Sequence, residues 1–321
     1  MGSQDRRITF RYYLIFGASY LLSLLPFWML YALSDLVFFP VYYWGRYRRD
    51  VVRDNLLRSF PEKTPQEILR IEKAFYHYLC DYFVETIKLT SISRRKMKKH
   101  MVFHGVEQME EACRADGKQF VFIFLGHYGN WEWIASLAYW TTPEVLCAQI
   151  YHPLYNQAMD RFFLRLRNHF GGECIPMKST LRRIVRLKRE HQRTFVGFIS
   201  DQLPKWESIH LFVPFLHRET AVFTGAEQIG RQMNAAYFFA DITRPRRGYY
   251  ECTFRPITTS APERQDYDVT VRFMQLLEEM IQKNPQYWLW THKRWKRTKE
   301  EWMERRQKNA GTAAPDAPCG A

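Results

Sequence analysis

Residues 12–34, YYLIFGASYLLSLLPFWMLYALS, carry no charged side chain. A run of this length is enough for one bilayer-spanning helix. Tyr12, Tyr13, Trp28, Tyr42, Tyr43 and Trp44 flank or border it, as interfacial aromatics do. Pro26 would kink a full span, and the apolar LVFFPVYYWG follows Asp35, so a shallow re-entrant hairpin fits the same residues. The competing readings are a buried core helix and a signal peptide. The run is longer than the usual apolar core of a signal peptide, and Ala32-Leu33-Ser34 is a weak cleavage match. The pattern predicts a membrane anchor over residues 1–44. Arginines stand on both sides of it, so the positive-inside rule assigns no orientation.

The next periodic stretch is amphipathic. Ile68, Ile71, Phe75, Tyr78, Leu79 and Tyr82 recur at three- and four-residue spacing, with Thr64 and Pro65 at the expected start, and predict a helix over 65–89. From 119 to 285 short apolar runs alternate with helix-like stretches. Strands are predicted at 119–126, 145–151, 194–200, 236–242 and 249–257, and helices at 131–140, 155–169, 180–191, 223–233 and 268–283. Residues 201–220 read as a long loop. This order predicts an α/β domain over 45–308, a mainly parallel central sheet flanked by helices, with ligand-facing residues at the carboxyl ends of its strands. Residues 309–321 read as a disordered tail.

Composition narrows the function class. Hydrophobic residues at 46% exclude wholesale disorder, and a net charge of +14 with 17% aromatics points to an acidic partner, a nucleic acid or a membrane surface. No nucleic-acid recognition motif is present, and the anchor accounts better for the charge. The six cysteines are far apart, without C-x-x-C or a Cys/His quartet, and read as reduced thiols without a zinc site.

The candidate chemistry lies in Leu125-Gly126-His127-Tyr128-Gly129-Asn130-Trp131-Glu132-Trp133, directly after a predicted strand. On one helix the five-residue spacing of His127 and Glu132 separates them by about 140°. With His127 on the turn and Glu132 in the first helical turn, a carboxylate can orient one imidazole nitrogen and leave the other to accept a proton. A backbone-satisfied turn histidine beside a helix-capping glutamate is the alternative. Turn N–H groups near Gly129 and Asn130 are candidate oxyanion donors. Asp201 and Gln202 follow a strand end, where ligand contacts gather. Thr224 and Gly225 open a helix whose N–H groups suit an anion, or are ordinary caps. Arg294, with Lys293, Lys296 and Arg297, suits phosphate or a membrane surface.

The segment resembles the H-x4-D/E motif of the glycerolipid acyltransferase superfamily. Four blocks in order narrow the likeness to the bacterial lipid A late acyltransferases, the lauroyl and myristoyl transferases. These are GHYGNWEW, QIYHPLYN (149–156), DQLP (201–204) with VPFLHRETAVFTGAE (213–227), and NPQYWLWTHKRWK (284–296). His152 stands where that family usually has Arg, and the nearby Arg161, Arg165 and Arg167 are candidates to supply the charge. The resemblance implies a membrane-associated O-acyltransferase with His127 as base and Glu132 as its orienting acid. It implies an acyl thioester donor, acyl carrier protein first, and a lipid A precursor, an anionic glycolipid, as acceptor at the cytoplasmic face of the inner membrane. Another lipid acceptor, or a non-catalytic lipid-binding role, is the alternative. No metal or organic cofactor is expected.

Overall fold

The computed structural model describes residues 3–258 and 267–312. The chain opens with two helices, α1 (Ser3–Ser23) and α2 (Phe27–Phe39), the second running on through a π-helical turn at Pro40–Trp44. The pair is bent by 115° at the break between them. Pro26 has no amide hydrogen to continue α1, and it sits as the extended N-cap of α2 instead. Carbonyls freed at the break are met by a buried lysine. Lys88 Nζ, at the end of α4 (Pro65–Lys88), donates to the oxygens of Ser23 and Leu25 at 2.6 and 2.8 Å. Among the described residues no single helix is long and apolar enough to cross a membrane; the bent pair meets that test only together. Of the two forms expected for the N-terminus, the bent pair is the one that forms.

Towards α4 the pair is mixed: Leu30 and Phe38 are buried, while Tyr31 Oη donates to Glu85 Oε1 at 2.9 Å and Ser34 Oγ to Asp81 Oδ1 at 2.7 Å. Away from α4 it is apolar, with Leu21, Trp28 and Trp44 exposed by 67%, 70% and 83%. An apolar face of this extent is a mark of contact with something other than water.

The predicted α4 forms with a capping box in which Thr64 and Glu67 exchange hydrogen bonds. Around it stand α3 (Arg49–Ser59) and α5 (Arg94–His100), the second taking the basic RRKMKK run into a helix capped by Ser93. The sheet is built from β1 (Met101–His104), β2 (Phe120–Leu125), β3 (Leu146–Tyr151), β4 (Glu173–Pro176), β5 (Thr194–Ile199), β8 (Ala236–Arg246) and β9 (Tyr249–Thr258). Their order is β1-β9-β8-β2-β5-β3-β4, parallel throughout except for the β8–β9 hairpin. Every residue of β2 is buried, as a central parallel strand requires. The remaining helices are α6 (Val106–Arg114), α7 (Gln157–Asn168), α8 (Thr180–Arg189), α9 (Gly225–Met233), α10 (Asp268–Lys283) and α11 (Lys299–Thr312).

Three local expectations change. Residues 131–140 form a 3-10 helix, Trp131–Tyr139, not an α-helix. The segment 201–220 is not all loop, because β6 (Leu211–Phe215) and β7 (Arg218–Val222) pair there as a separate antiparallel hairpin. Its turn residues Leu216 and His217 both have positive φ, 49° and 61°. Such a turn normally announces itself by Asn-Gly or Asp-Gly, and Leu-His gives no such signal. Helix α11 runs through Thr312, four residues into the expected tail. The rest of that segment, with Cys319, lies outside the described residues.

Candidate active site

Strands β2 and β5 are neighbours in parallel, in a register that sets Leu125 opposite Ile199. His127 and Asp201 each lie two residues beyond those ends, so the sheet brings together side chains 74 positions apart. The His127 backbone N–H donates to Asp201 Oδ2 at 2.9 Å, and its ring Nδ1 pairs with Asp201 Oδ1 at 2.6 Å. Trp288 Nε1 donates a third bond to Oδ2 at 2.8 Å. Burial alone would raise the pKa of this enclosed carboxyl. The imidazolium charge of His127 and the hydrogen bonds from His127 and Trp288 outweigh burial and hold it at about 2. Asp201 is therefore an anion across the physiological range. It accepts the Nδ1 proton, so a ring acting as base offers the lone pair of Nε2. Gln202 Nε2 lies 3.3 Å from that Nε2, in the geometry of an amide N–H donor.

The turn that carries His127 is held at both ends. Gly129 has φ of +56°, and a Cβ there would stand 2.8 Å from Ile242 Cγ2. A side chain is excluded at this position by conformation and by space. The Gly129 N–H donates to Tyr287 O at 2.9 Å and the Leu289 N–H to His127 O at 3.0 Å, stitching the turn to the 284–296 segment. That bond occupies the Gly129 N–H, which corrects its candidacy as an oxyanion donor. Asn130, fully buried, accepts from the Trp133 N–H and donates Nδ2 to Glu85 Oε2 at 2.7 Å. Its side chain is a cap and a strut, not a substrate ligand. Glu85 also accepts from Tyr250 Oη at 2.8 Å. Burial raises its pKa, opposed by the charge of Arg244.

The expected His127–Glu132 hydrogen bond does not form. Glu132 is 4% exposed and takes Arg167 of α7 as a bidentate partner, at 2.8 Å to Nε and 2.6 Å to Nη2. The 3-10 geometry of Trp131–Tyr139 directs Glu132 toward α7, while Asp201 occupies the Nδ1 edge of the imidazole. Burial would lower the Arg167 pKa, but the Glu132 charge and hydrogen bonds raise it, so the guanidinium stays charged.

The other predicted ligands scatter. His152 is exposed and its Nδ1 meets the neighbouring Pro153 carbonyl at 2.9 Å. Arg161 reaches Thr9 Oγ1 on α1 at 3.3 Å, and Arg165 stacks on Phe16 at 4.4 Å, so both serve the contact with the N-terminal pair. Arg294 is buried and donates Nη2 to Ala221 O at 2.6 Å, while its Nε and Nη1 have no partner among the described residues. Burial lowers its pKa to about 10, against the opposing charge of Asp201. Thr224 is the N-cap of α9 but makes no capping bond, and its buried Oγ1 also has no partner among the described residues; Gly225 beside it is exposed.

Sequence reasoning missed Trp288, which holds Asp201, and His292, whose Nε2 lies 3.4 Å from the Leu203 N–H as its acceptor. Burial lowers the His292 pKa to about 4, so that ring is neutral. Both belong to the W-x-W-x-H-x-R-W-K block, which was legible as a motif but not as a wall of the site. Among the described residues no group of three or more His, Cys, Asp or Glu is placed to hold a metal.

The geometry supplies a carboxylate-oriented imidazole at the carboxyl end of a parallel sheet, suited to taking a proton from a hydroxyl and activating it. No curated protein matches the chain. The model of one family, bacterial lipid A biosynthesis acyltransferase, matches residues 2–297, which contain every group of this site. The chain belongs to that family and is an acyltransferase.

Proposed function

We propose that the protein moves a fatty acyl chain from acyl carrier protein to a hydroxyl of a lipid A precursor, at the cytoplasmic face of the bacterial inner membrane. The acceptor hydroxyl approaches His127 Nε2 and displaces the Gln202 amide. As its oxygen attacks the thioester carbonyl, its proton passes to Nε2, and Asp201 stabilises the imidazolium through Nδ1–H. The tetrahedral intermediate collapses with cleavage of the C–S bond. The imidazolium returns its proton to the departing thiolate, so the base is regenerated and no acyl-enzyme forms.

The Glu132–Arg167 pair is the floor beside this base rather than its orienting acid. The outward apolar face of the α1–α2 pair supports membrane attachment. Its inner face is held to α4 by Tyr31 and Ser34 and by Lys88 of α4, so the pair lies against the domain instead of leading away from it. The aromatic rim at Trp28 and Trp44 suits the headgroup level of one leaflet.

The observation that carries the reading is the 2.6 Å contact between His127 and an ionised Asp201 in a chain of this family. The test is direct. Purified protein is incubated with acylated carrier protein and lipid A precursor in mixed micelles, and lipids are read by mass spectrometry. An acceptor heavier by one acyl group is expected. Acylation of a lysophospholipid in place of the precursor would overturn the acceptor.

A further inference from the structure

Gln202, which touches His127, begins a loop that leads away from the site. Four residues on, at most about 14 Å of chain, is Trp206. Its ring forms one wall of a cavity of about 420 Å³; the opposite wall is α11, with Trp302, Arg305 and Arg306. Arg305 Cζ lies 4.6 Å over the Trp206 ring and Arg306 Cζ 4.8 Å over that of Trp302. Arg297 also covers Trp206, at 5.4 Å, and donates to the Pro204 carbonyl, tying the loop to the segment that precedes α11. Arg305 and Arg306 are exposed, and among the described residues neither has a carboxylate partner. Stacking fixes a guanidinium by its face and leaves the N–H groups in its plane to meet a carboxylate. The arrangement is therefore pre-ordered cationic surface rather than a freely waving solvated face. After Lys299, α11 carries Glu300, Glu301 and Glu304 and then Arg305 and Arg306, and among the described residues Glu207 is the one carboxylate lining the cavity.

We propose that the notch between Trp206 and α11 docks an acidic helix of the protein that carries the acyl thioester, with Arg305 and Arg306 as its cationic anchors. This rests on the reading of function above and adds where the donor sits. With Arg305 closing on the Trp206 ring, the indentation admits individual side chains of an acidic helix, and the helix itself lies across it. The short loop from Trp206 to Gln202 places the docked carrier within reach of His127 for a flexible thioester arm. The same charges steer the encounter, which makes it sensitive to salt.

The test compares two donors with the same acyl chain, one on acyl carrier protein and one on coenzyme A, in wild type and in R305E/R306E. Circular dichroism and thermal melting establish that the variant is folded, and R305Q/R306Q provides a milder second variant. For the carrier-protein donor, KM is expected to rise about tenfold or more in the charge reversal, with the Gln variant intermediate. For the coenzyme A donor, KM is expected to change less than about twofold. An equal rise for both donors would place donor phosphates on these arginines and overturn the proposal, as would an unchanged carrier-protein KM. Loss of flotation with anionic vesicles at unchanged donor KM would make the surface a membrane contact and also overturn it. If wild type transfers from neither donor, the reading of function fails separately. Fluorescence anisotropy of labelled holo-carrier then still decides the docking surface: binding weakened by R305E/R306E supports it, and no binding by wild type refutes it.

Discussion

Asp201 and Glu132 are both buried beside the His127 turn and both are paired with a nitrogen base, but the partners differ in kind. Asp201 holds an imidazole that remains partly exposed, 19% at its side chain, and can change its protonation state. Glu132 holds a guanidinium that does not titrate in the working range. The first pair can pass a proton to and from a substrate; the second can only fix charge and shape. The partner's chemistry, more than the carboxylate or its burial, decides which acid serves the reaction.

Removing the base should break the comparison most severely. For His127→Ala we expect transfer to fall by about 10²–10⁴-fold in a protein that still folds but melts lower, because buried Asp201 loses its imidazole partner, read by initial rates and calorimetry. A variant keeping more than about a tenth of wild-type turnover would exclude His127 as the base.

Next is Asp201→Asn. The amide can donate to Nδ1 and so favour the tautomer that carries its proton on Nε2, where the substrate needs an acceptor. A fall in kcat of about 10²-fold or more is expected, with acceptor KM little altered. An effect confined to KM would make Asp201 a binding group.

Glu132→Gln probes the other pair, and its expected readout is stability. It leaves Arg167 charged, buried and uncompensated, which costs about 3–5 kcal/mol. Adding Arg167→Met should recover most of that loss, as coupled neighbours do. If Glu132→Gln abolishes turnover with no fall in melting temperature, Glu132 acts in the reaction and the contrast with Asp201 collapses.

The smallest effect concerns pH. His292 has a folded pKa near 4, below the ordinary value of about 6.5. The unfolded chain therefore binds a proton that the folded one refuses, and stability is lost as pH falls from about 6.5 to about 4. His292→Gln should flatten that part of the melting profile. Below it, Asp201 works in the same direction. Its depressed pKa contributes stability above about 3.9 that disappears toward pH 2. An unchanged slope in His292→Gln would assign the acid loss to other groups.

The sequence by itself determined the elements whose signals are local. The periodic α4 with its Thr64–Glu67 cap, the apolar strands β2, β3 and β5, the Gly126–Gly129 turn and the charge-free N-terminal run were all legible, because each depends on neighbours a few residues away. It also named His127 and Asp201 separately, one from its motif and one from its place after a strand. Their pairing was not legible. Along the chain Glu132 is five residues from His127 and Asp201 is 74, and only the β2–β5 register turns the longer separation into the shorter distance. Arg167 was likewise assigned to substrate because its carboxylate partner arrives from a different element. The β6–β7 hairpin escaped because its Leu216–His217 turn takes positive φ with residues that do not advertise it. The bend of the N-terminal pair was suggested by Pro26, but its closure onto the domain depends on Lys88, which meets the free carbonyls from another helix. Hydrogen bonds between distant strands and helices are set by register and packing, which periodicity does not encode, so tertiary structure alone chose the partners.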